Sequence, residues 1–304
     1  MLHLVVNKMP EAWQKLAFVN KHERDNEITF YEPTHTYTIK GSSKGIISGT
    51  GFLHAFFHHF DAKAVIKQMM SKANWPQNKW YKKGITIDEL ANQWTESGKD
   101  ASGKGTALHL AIEQFLNGSA ELIPQEVLDS IEWSYFLKFW KKYGDDLEPY
   151  RTEWEVWSEQ HLLCGSIDMV FKRKSDGKFL IYDWKRSKEI KMKSFGKQKG
   201  LAPLDHLDDC NYWHYTLQLN VYRWILETFY GLEVADLYLV VLHPDNDTYL
   251  RVKLNRLEEE VEDMLECRLR ALKAGSSQPV LLPIPEETHE KPVTQVNDDY
   301  AFLD

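Results

Sequence analysis

The sequence predicts an α/β fold in which a mixed sheet is flanked by helices and preceded by an N-terminal helical annex. Two changes of period predict it. Apolar residues recur at helical spacing up to Tyr143, switch to alternation from Arg151 to Arg186, and return to helical spacing from Tyr212 to Tyr230. Strand-rich and helix-rich stretches that alternate in this way pack as a sheet covered by helices.

The elements follow in order. ITFYEPTHTYTIK, residues 28–40, reads as two short strands around Pro33-Thr34, because β-branched and aromatic residues flank a turn. Residues 51–70 and 87–96 have helical spacing, and the Gly98–Gly103 stretch is expected to break the pattern before a third helix. That helix is expected to start near Thr106 as its cap and to stop at Asn117-Gly118. Residues 124–143 form a longer amphipathic helix with Trp133, Phe136, Leu137 and Trp140 inward. RTEWEVWSEQ, LLCGSIDMVFKR and KFLIYDWKR form an antiparallel meander with a turn at Ser175-Asp176-Gly177. A helix over 212–230, strands over 236–243 and 248–254, and a helix over 257–273 complete the pattern. Three regions result: a strand pair and helical annex over 1–100, a core over 101–275, and an acidic tail over 276–304.

Composition narrows the function. With 304 residues, 43% hydrophobic, the chain can bury a sizeable core. It lacks an apolar run long enough for a membrane span and an obvious signal peptide, so the expected location is intracellular, in the cytoplasm or with DNA. Cys164, Cys210 and Cys267 are far apart with no CxxC, which excludes a disulfide framework or a four-thiolate metal site built from this chain. A net charge of -8 argues against coating nucleic acid by bulk electrostatics, but charge is unevenly placed. KRSKEIKMKSFGKQKG, residues 185–200, holds seven basic residues against one Glu, so Arg186, Lys188, Lys191 and Lys193 are candidate phosphate contacts. The alternative is a solvated loop.

The stretch LIYDWKRS places Asp183 and Lys185 on one face of a strand. In isolation such a pair is ordinary surface. The preceding strand, however, carries Gly165-Ser166-Ile167-Asp168 across a short hairpin, and pairing brings Asp168 and Asp183 within reach of one ion. Two carboxylates, a carbonyl and waters suit Mg²⁺.

Gly105-Thr106-x-x-His109 on a helix, Gly165-x-x-Asp168 at a strand end, Asp183-x-Lys185 on the next strand and Gln218-x-x-x-Tyr222 on a following helix together resemble the PD-(D/E)xK nucleases. The likeness is to their RecB-like and Cas4-like exonuclease branch, which includes the mitochondrial genome maintenance exonuclease type. It spans 105–222 and implies a restriction-endonuclease-like fold. It also implies metal-dependent hydrolysis of DNA phosphodiesters at ends or single strands, with Mg²⁺ or Mn²⁺. Carried over residue by residue, His109, Asp168, Asp183 and the carbonyl of Trp184 hold the metal. Lys185 positions the attacking water as its base, Gln218 and Tyr222 support the site and the phosphate, and Thr106 joins the nucleic-acid contacts. Glu113 and Glu155 either support the metal ligands from behind or are merely exposed. RNA cleavage, site-selective endonuclease action and a catalytically idle binding protein remain alternatives. The cysteines of iron–sulfur members are absent, so no iron–sulfur cluster is expected. No GxxxxGK[ST] motif occurs, so any unwinding belongs to a helicase or recombination partner. Trp75, Trp80 and Trp94 either pack in a core, the favoured reading, or stack on unpaired bases.

Overall fold

A computed structural model describes residues 14–276 and Pro279. The elements in chain order are α1 (Lys15–Val19), β1 (Ile28–Tyr31), β2 (Thr36–Ile39), β3 (Ile47–Ser48), α2 (Gly49–His54), α3 (Ala62–Met70), α4 (Ile87–Leu116), α5 (Gln125–Leu128) and α6 (Ile131–Tyr143). They continue as β4 (Leu147–Ser158), β5 (Leu163–Arg173), β6 (Phe179–Lys185), α7 (Asn211–Phe229), β7 (Val234–Val241), β8 (Leu250–Lys253) and α8 (Glu258–Lys273). The fold is α/β, with a mixed six-stranded sheet flanked by helices.

The expected meander is present: β4 pairs antiparallel with β5, and β5 with β6. Helix α7 then carries the chain to β7, which lies parallel to β6, and β8 returns antiparallel. Strand β5 is the hub. Strand β4 occupies one of its edges from end to end; the other edge holds β3 in parallel at Leu163 and Cys164 and β6 at Met169–Lys172. Among the described residues the edge between, Gly165–Asp168, has no ladder partner on that side, which leaves a notch in the sheet.

Both faces of the sheet are covered, so its strands read as nearly continuous apolar runs. On β6 the alternation assigns the sides. Tyr182 and Trp184 meet Phe136 and Phe139 of α6 through ring contacts of 5.6–5.7 Å, whereas Ile181 joins Leu217, Val221 and Tyr222 of α7 in the main core. Asp183 and Lys185 therefore point to the α7 side.

Several expectations need correction. The break at Gly98–Gly103 does not occur: α4 runs unbroken for 30 residues. Its start is a capping box at Thr86, whose Oγ1 accepts from Glu89 N (3.2 Å) while Glu89 Oε2 accepts from Thr86 N (2.8 Å). Thr106 caps nothing; its hydroxyl donates to Ser102 O, one turn back. Residues 124–143 form two helices, because Ser130 leaves helical geometry to cap α6 through Trp133 N. Leu137 is 41% exposed, Trp140 is half-buried, and Tyr135 and Phe139 fill the inward face with Trp133 and Phe136.

The division of the chain also differs from 1–100 and 101–275. Residues up to His58 and from His109 onward form one unit, and His59–Leu108 forms a second. The strand pair belongs to the larger unit because polar ties anchor the preceding segment to β4. Asp25 accepts from Arg151 (2.7 Å) and from Trp154 Nε1 (2.9 Å), and the Arg24 guanidinium stacks 3.8 Å over Trp157. The smaller unit consists of α3, a short 3-10 turn at Trp75–Gln77 and most of α4. The acidic tail, apart from Ser276 and Pro279, and residues 1–13 lie outside the described residues. Among the described residues no helix is long and apolar enough to cross a membrane.

Candidate metal centre

Strands β5 and β6 stay paired as far as Met169↔Tyr182 and then part, and Asp168 and Asp183 are the next residues on each. At this fork a side chain takes over the ladder: Trp184 N donates to Asp168 Oδ2 at 2.9 Å. The next peptide along is held as well, where the Trp184 carbonyl accepts from His109 Nε2 at 2.8 Å. A carbonyl only accepts, so Nε2 carries the hydrogen and Nδ1 is turned toward Asp168 Oδ2 (3.5 Å) and Glu153 Oε1 (3.9 Å). His109 and Asp168, distant in sequence, thus meet at the backbone of Trp184, next to Asp183.

Asp183 and Lys185 do share a face. Lys185 Nζ lies 2.6 Å from Asp183 Oδ2 and 4.7 Å over the ring of Tyr215 from α7. The contact is a buried ion pair that satisfies Asp183 Oδ2. Burial pushes the Asp183 carboxyl up to about 6, with Asp168 adding to the rise and Lys185 opposing it. Burial works against the Lys185 ammonium, yet Asp183 and Asp168 beside it hold its affinity for the proton above the ordinary range. The proton of the pair rests on Lys185 at neutral pH.

Glu153 is the residue the sequence reading missed. The pairs Thr152↔Met169 and Trp154↔Ile167 flank it, so it stands opposite Asp168 across the β4–β5 ladder. Its φ of 41° lies in the left-handed region, a strained conformation for Glu, and strain of this kind gathers at functional sites. One ligand atom from each of His109, Glu153 and Asp168 falls within 4.8 Å of the others. Burial, followed by Asp168 and Glu113, raises the Glu153 carboxyl well above the usual range. Its side chain keeps 38% exposure, so the rise reflects crowding by acids as well as lost water. Glu113, one turn beyond His109 on α4, is pushed by burial up to about 7 and accepts from Thr152 Oγ1 at 3.3 Å.

These observations test whether a divalent cation fits. Like charges directly opposite in a ladder are destabilising, three neighbouring carboxylates are raised, and Lys185 supplies one positive charge among them. Carboxylate and carbonyl oxygens with one imidazole suit Mg²⁺ or Mn²⁺. The residues fit the ion.

Gln218 and Tyr222 occupy adjacent turns of α7, with Gln218 Nε2 donating to Tyr222 Oη at 3.2 Å. The structure corrects the role of Tyr222. It is 4% exposed, packed so close to Gly165 and Gly49 that a Cβ on either glycine would meet its ring or hydroxyl at 2.5–2.9 Å. It cannot reach a phosphate in solution and instead seats β5 and the start of α2. The glycine of Gly165-x-x-Asp168 is thereby explained: the tyrosine fills its space.

Other expected residues lie away from the cluster or are engaged. Glu155 shares its surroundings with Asp25 and Arg151 rather than with Asp168, since two more strand residues carry it past the fork. Thr106 is exposed on α4. In the basic run, Arg186 pairs with Glu132 (2.8 Å), Lys188 with Asp245 (2.6 Å), Lys199 with Asp208 (2.6 Å) and Lys191 with Glu189 (3.7 Å). Acids from α6, the β7–β8 turn and the loop itself neutralise most of the run, leaving Lys193 and Lys197 as exposed cations. Cys164, Cys210 and Cys267 are buried free thiols.

No family model and no curated protein matches the chain. Among solved structures, the crystal structure of SSO0001 is 12% identical, covers 78% of this chain and 80% of that one, and superposes with a TM-score of 0.29. A likeness that loose carries no argument about fold or function.

Proposed function

We propose that this protein is a metal-dependent nuclease of the PD-(D/E)xK type that hydrolyses DNA phosphodiester bonds, acting on ends or single strands. One observation carries the reading. The four motif pieces, separated by up to 113 positions between His109 and Tyr222, converge on the fork between β5 and β6, and His109 and Asp168 hold the backbone carbonyl and N–H of Trp184.

In this reading His109, Glu153, Asp168, Asp183 and the Trp184 carbonyl hold Mg²⁺ or Mn²⁺. The bound ion supplies Lewis-acid activation of water and charge neutralisation at the phosphate. The chain's own residues do the rest. Lys185, cationic and fixed between Asp183 and the Tyr215 ring, donates to the attacking water and offsets charge developing on the phosphoryl oxygens. Because its proton is held so firmly, Lys185 orients the water rather than removing a proton from it. Glu113, raised by burial and not among the metal ligands, is the better acceptor for that proton. Tyr222 and Gln218 keep β5, and with it Asp168, in register with β6.

The test is incubation of the purified protein with end-labelled single-stranded DNA, duplex DNA and RNA in Mg²⁺, Mn²⁺ or EDTA, beside Lys185→Ala. Degradation of DNA that needs the metal and vanishes in the variant is expected. Intact substrates with both proteins, or equal cleavage by both, would refute the proposal.

A further inference from the structure

The smaller unit, His59–Leu108, differs in charge from the rest of the molecule. Eight Lys against five acids give it a net charge of +3 in a chain of -8. The charge is concentrated further: Lys63, Lys67, Lys72, Lys79, Lys82 and Lys83 all fall within 62–83, where there is no acid, and all six are exposed. Lys63 pairs with Asp88, whereas Lys67, Lys82 and Lys83 make no ion pair among the described residues.

Aromatic rings lie among these lysines without entering a core. Ile66, Leu90 and Leu108 are the unit's buried apolar side chains, while Trp75, Trp80 and Trp94 stay half-buried and Tyr81 is 39% exposed. The favoured expectation of packed tryptophans is met only in part: Trp94 packs against Trp80 with its indole nitrogen buried, whereas none of the three is fully buried. Trp75 meets Tyr81 edge-on at 5.7 Å, Trp80 lies 5.9 Å from Trp94, and Lys79 Nζ sits 5.2 Å over the Trp80 ring. The residues between the rings are amides and lysines, NWPQNKWYKK over 74–83, rather than the aliphatics a membrane-inserting face needs.

We propose that this face of the smaller unit binds unpaired polynucleotide, the lysines following the phosphates and the rings of Trp75, Trp80 and Tyr81 stacking on bases. Duplex is disfavoured because its base faces are covered, whereas a single strand offers a ring face at every nucleotide. The inference goes beyond the cleavage site, since binding here needs no metal.

The test uses the full-length protein in EDTA and the anisotropy of fluorescein-labelled oligo-thymidylate, with a hairpin duplex as competitor, across a range of salt concentrations. Trp80→Ala is expected to weaken binding about 5- to 150-fold, the loss for one stacked base. The triple variant Lys79→Gln, Lys82→Gln, Lys83→Gln changes exposed residues only, and so separates binding from folding. It should flatten the logarithmic salt slope by about 2, three phosphate contacts at about 0.7 each. Equal binding by the wild type and both variants would overturn the proposal, as would preference for the duplex. Binding to phosphatidylserine vesicles without binding to the oligonucleotide would also overturn it. Since nothing is cleaved in EDTA, this result stands or falls apart from the nuclease reading.

Discussion

Replacing Gly165 by alanine tests how the β5 register is maintained. The added methyl would lie 2.5 Å from Tyr222 Oη, 2.6 Å from Cε1 and 2.8 Å from Cζ. The ring has nowhere to retreat, because a Cβ on Gly49 would already meet the same ring and hydroxyl at 2.9 Å. Overpacking of this kind costs about 1–3 kcal/mol, and displacing the hydroxyl from Gln218 adds about 0.5–1.5 kcal/mol. Gly165→Ala is therefore expected to lower unfolding free energy by about 2–4 kcal/mol in urea denaturation followed by tryptophan fluorescence. Cleavage should fall further than the folded fraction does, since Asp168 lies three residues along the shifted strand. Tyr222→Leu removes the clash, so the double variant should be less destabilised than the sum of the singles by about 1–3 kcal/mol. Strict additivity, or a Gly165→Ala protein as stable as wild type, would refute the argument.

Three further predictions follow from single residues. Glu153→Gly relieves a left-handed conformation and removes one of the crowded acids, so the metal-free protein should gain about 1–2 kcal/mol while cleavage is lost; a less stable but active variant contradicts this. Burial, helped by the nearby Arg268 guanidinium, lowers His161 to about 4 from an unfolded value near 6.5. The unfolded chain therefore binds more protons between these values: the contribution is complete above about pH 6.5 and is lost as pH falls toward 4, a change of about 3 kcal/mol at most. His161→Gln should flatten that slope relative to wild type in urea titrations, and parallel slopes would rule it out. Gly98→Ala with Gly103→Ala places two methyls in open space on an exposed helix, so hydrogen exchange over 96–105 should slow by about 1 kcal/mol of protection per substitution, whereas faster exchange would show the glycines are needed there.

The sequence was most legible where one face of a strand or helix is dictated by burial. The β4–β5–β6 meander, α7 with Gly231 beyond it, and the shared face of Asp183 and Lys185 all follow from periodicity. It was least legible in α4. Gly98, Gly103 and Gly105 signal a break, but Lys99–Glu96 and Lys104–Asp100 pairs and a capping box at Thr86 favour the helix that local propensity opposes. At the site the Asp168 and Asp183-x-Lys185 pieces were readable as spacing, whereas Glu153 was not. Finding it requires the β4–β5 register, and the ends of that hairpin, Ser158↔Leu163, supply it: counting back five residues on β4 and forward five on β5 brings Glu153 opposite Asp168. Glu155, chosen from its strand alone, is two residues off. The burial of Tyr222 was hidden for the same reason, since only the packing of α7 on Gly165 shows what the glycine accommodates.

The central claim is that the cluster around the Trp184 peptide binds a divalent cation. Calorimetric titration of Mn²⁺ into the wild type and into Asp168→Asn, with near-ultraviolet circular dichroism to confirm that both are folded, tests it most directly. The account predicts saturable binding to the wild type and affinity weakened roughly tenfold or more in the variant, the scale expected when one site carboxylate is lost. Superimposable isotherms from two folded proteins would contradict it.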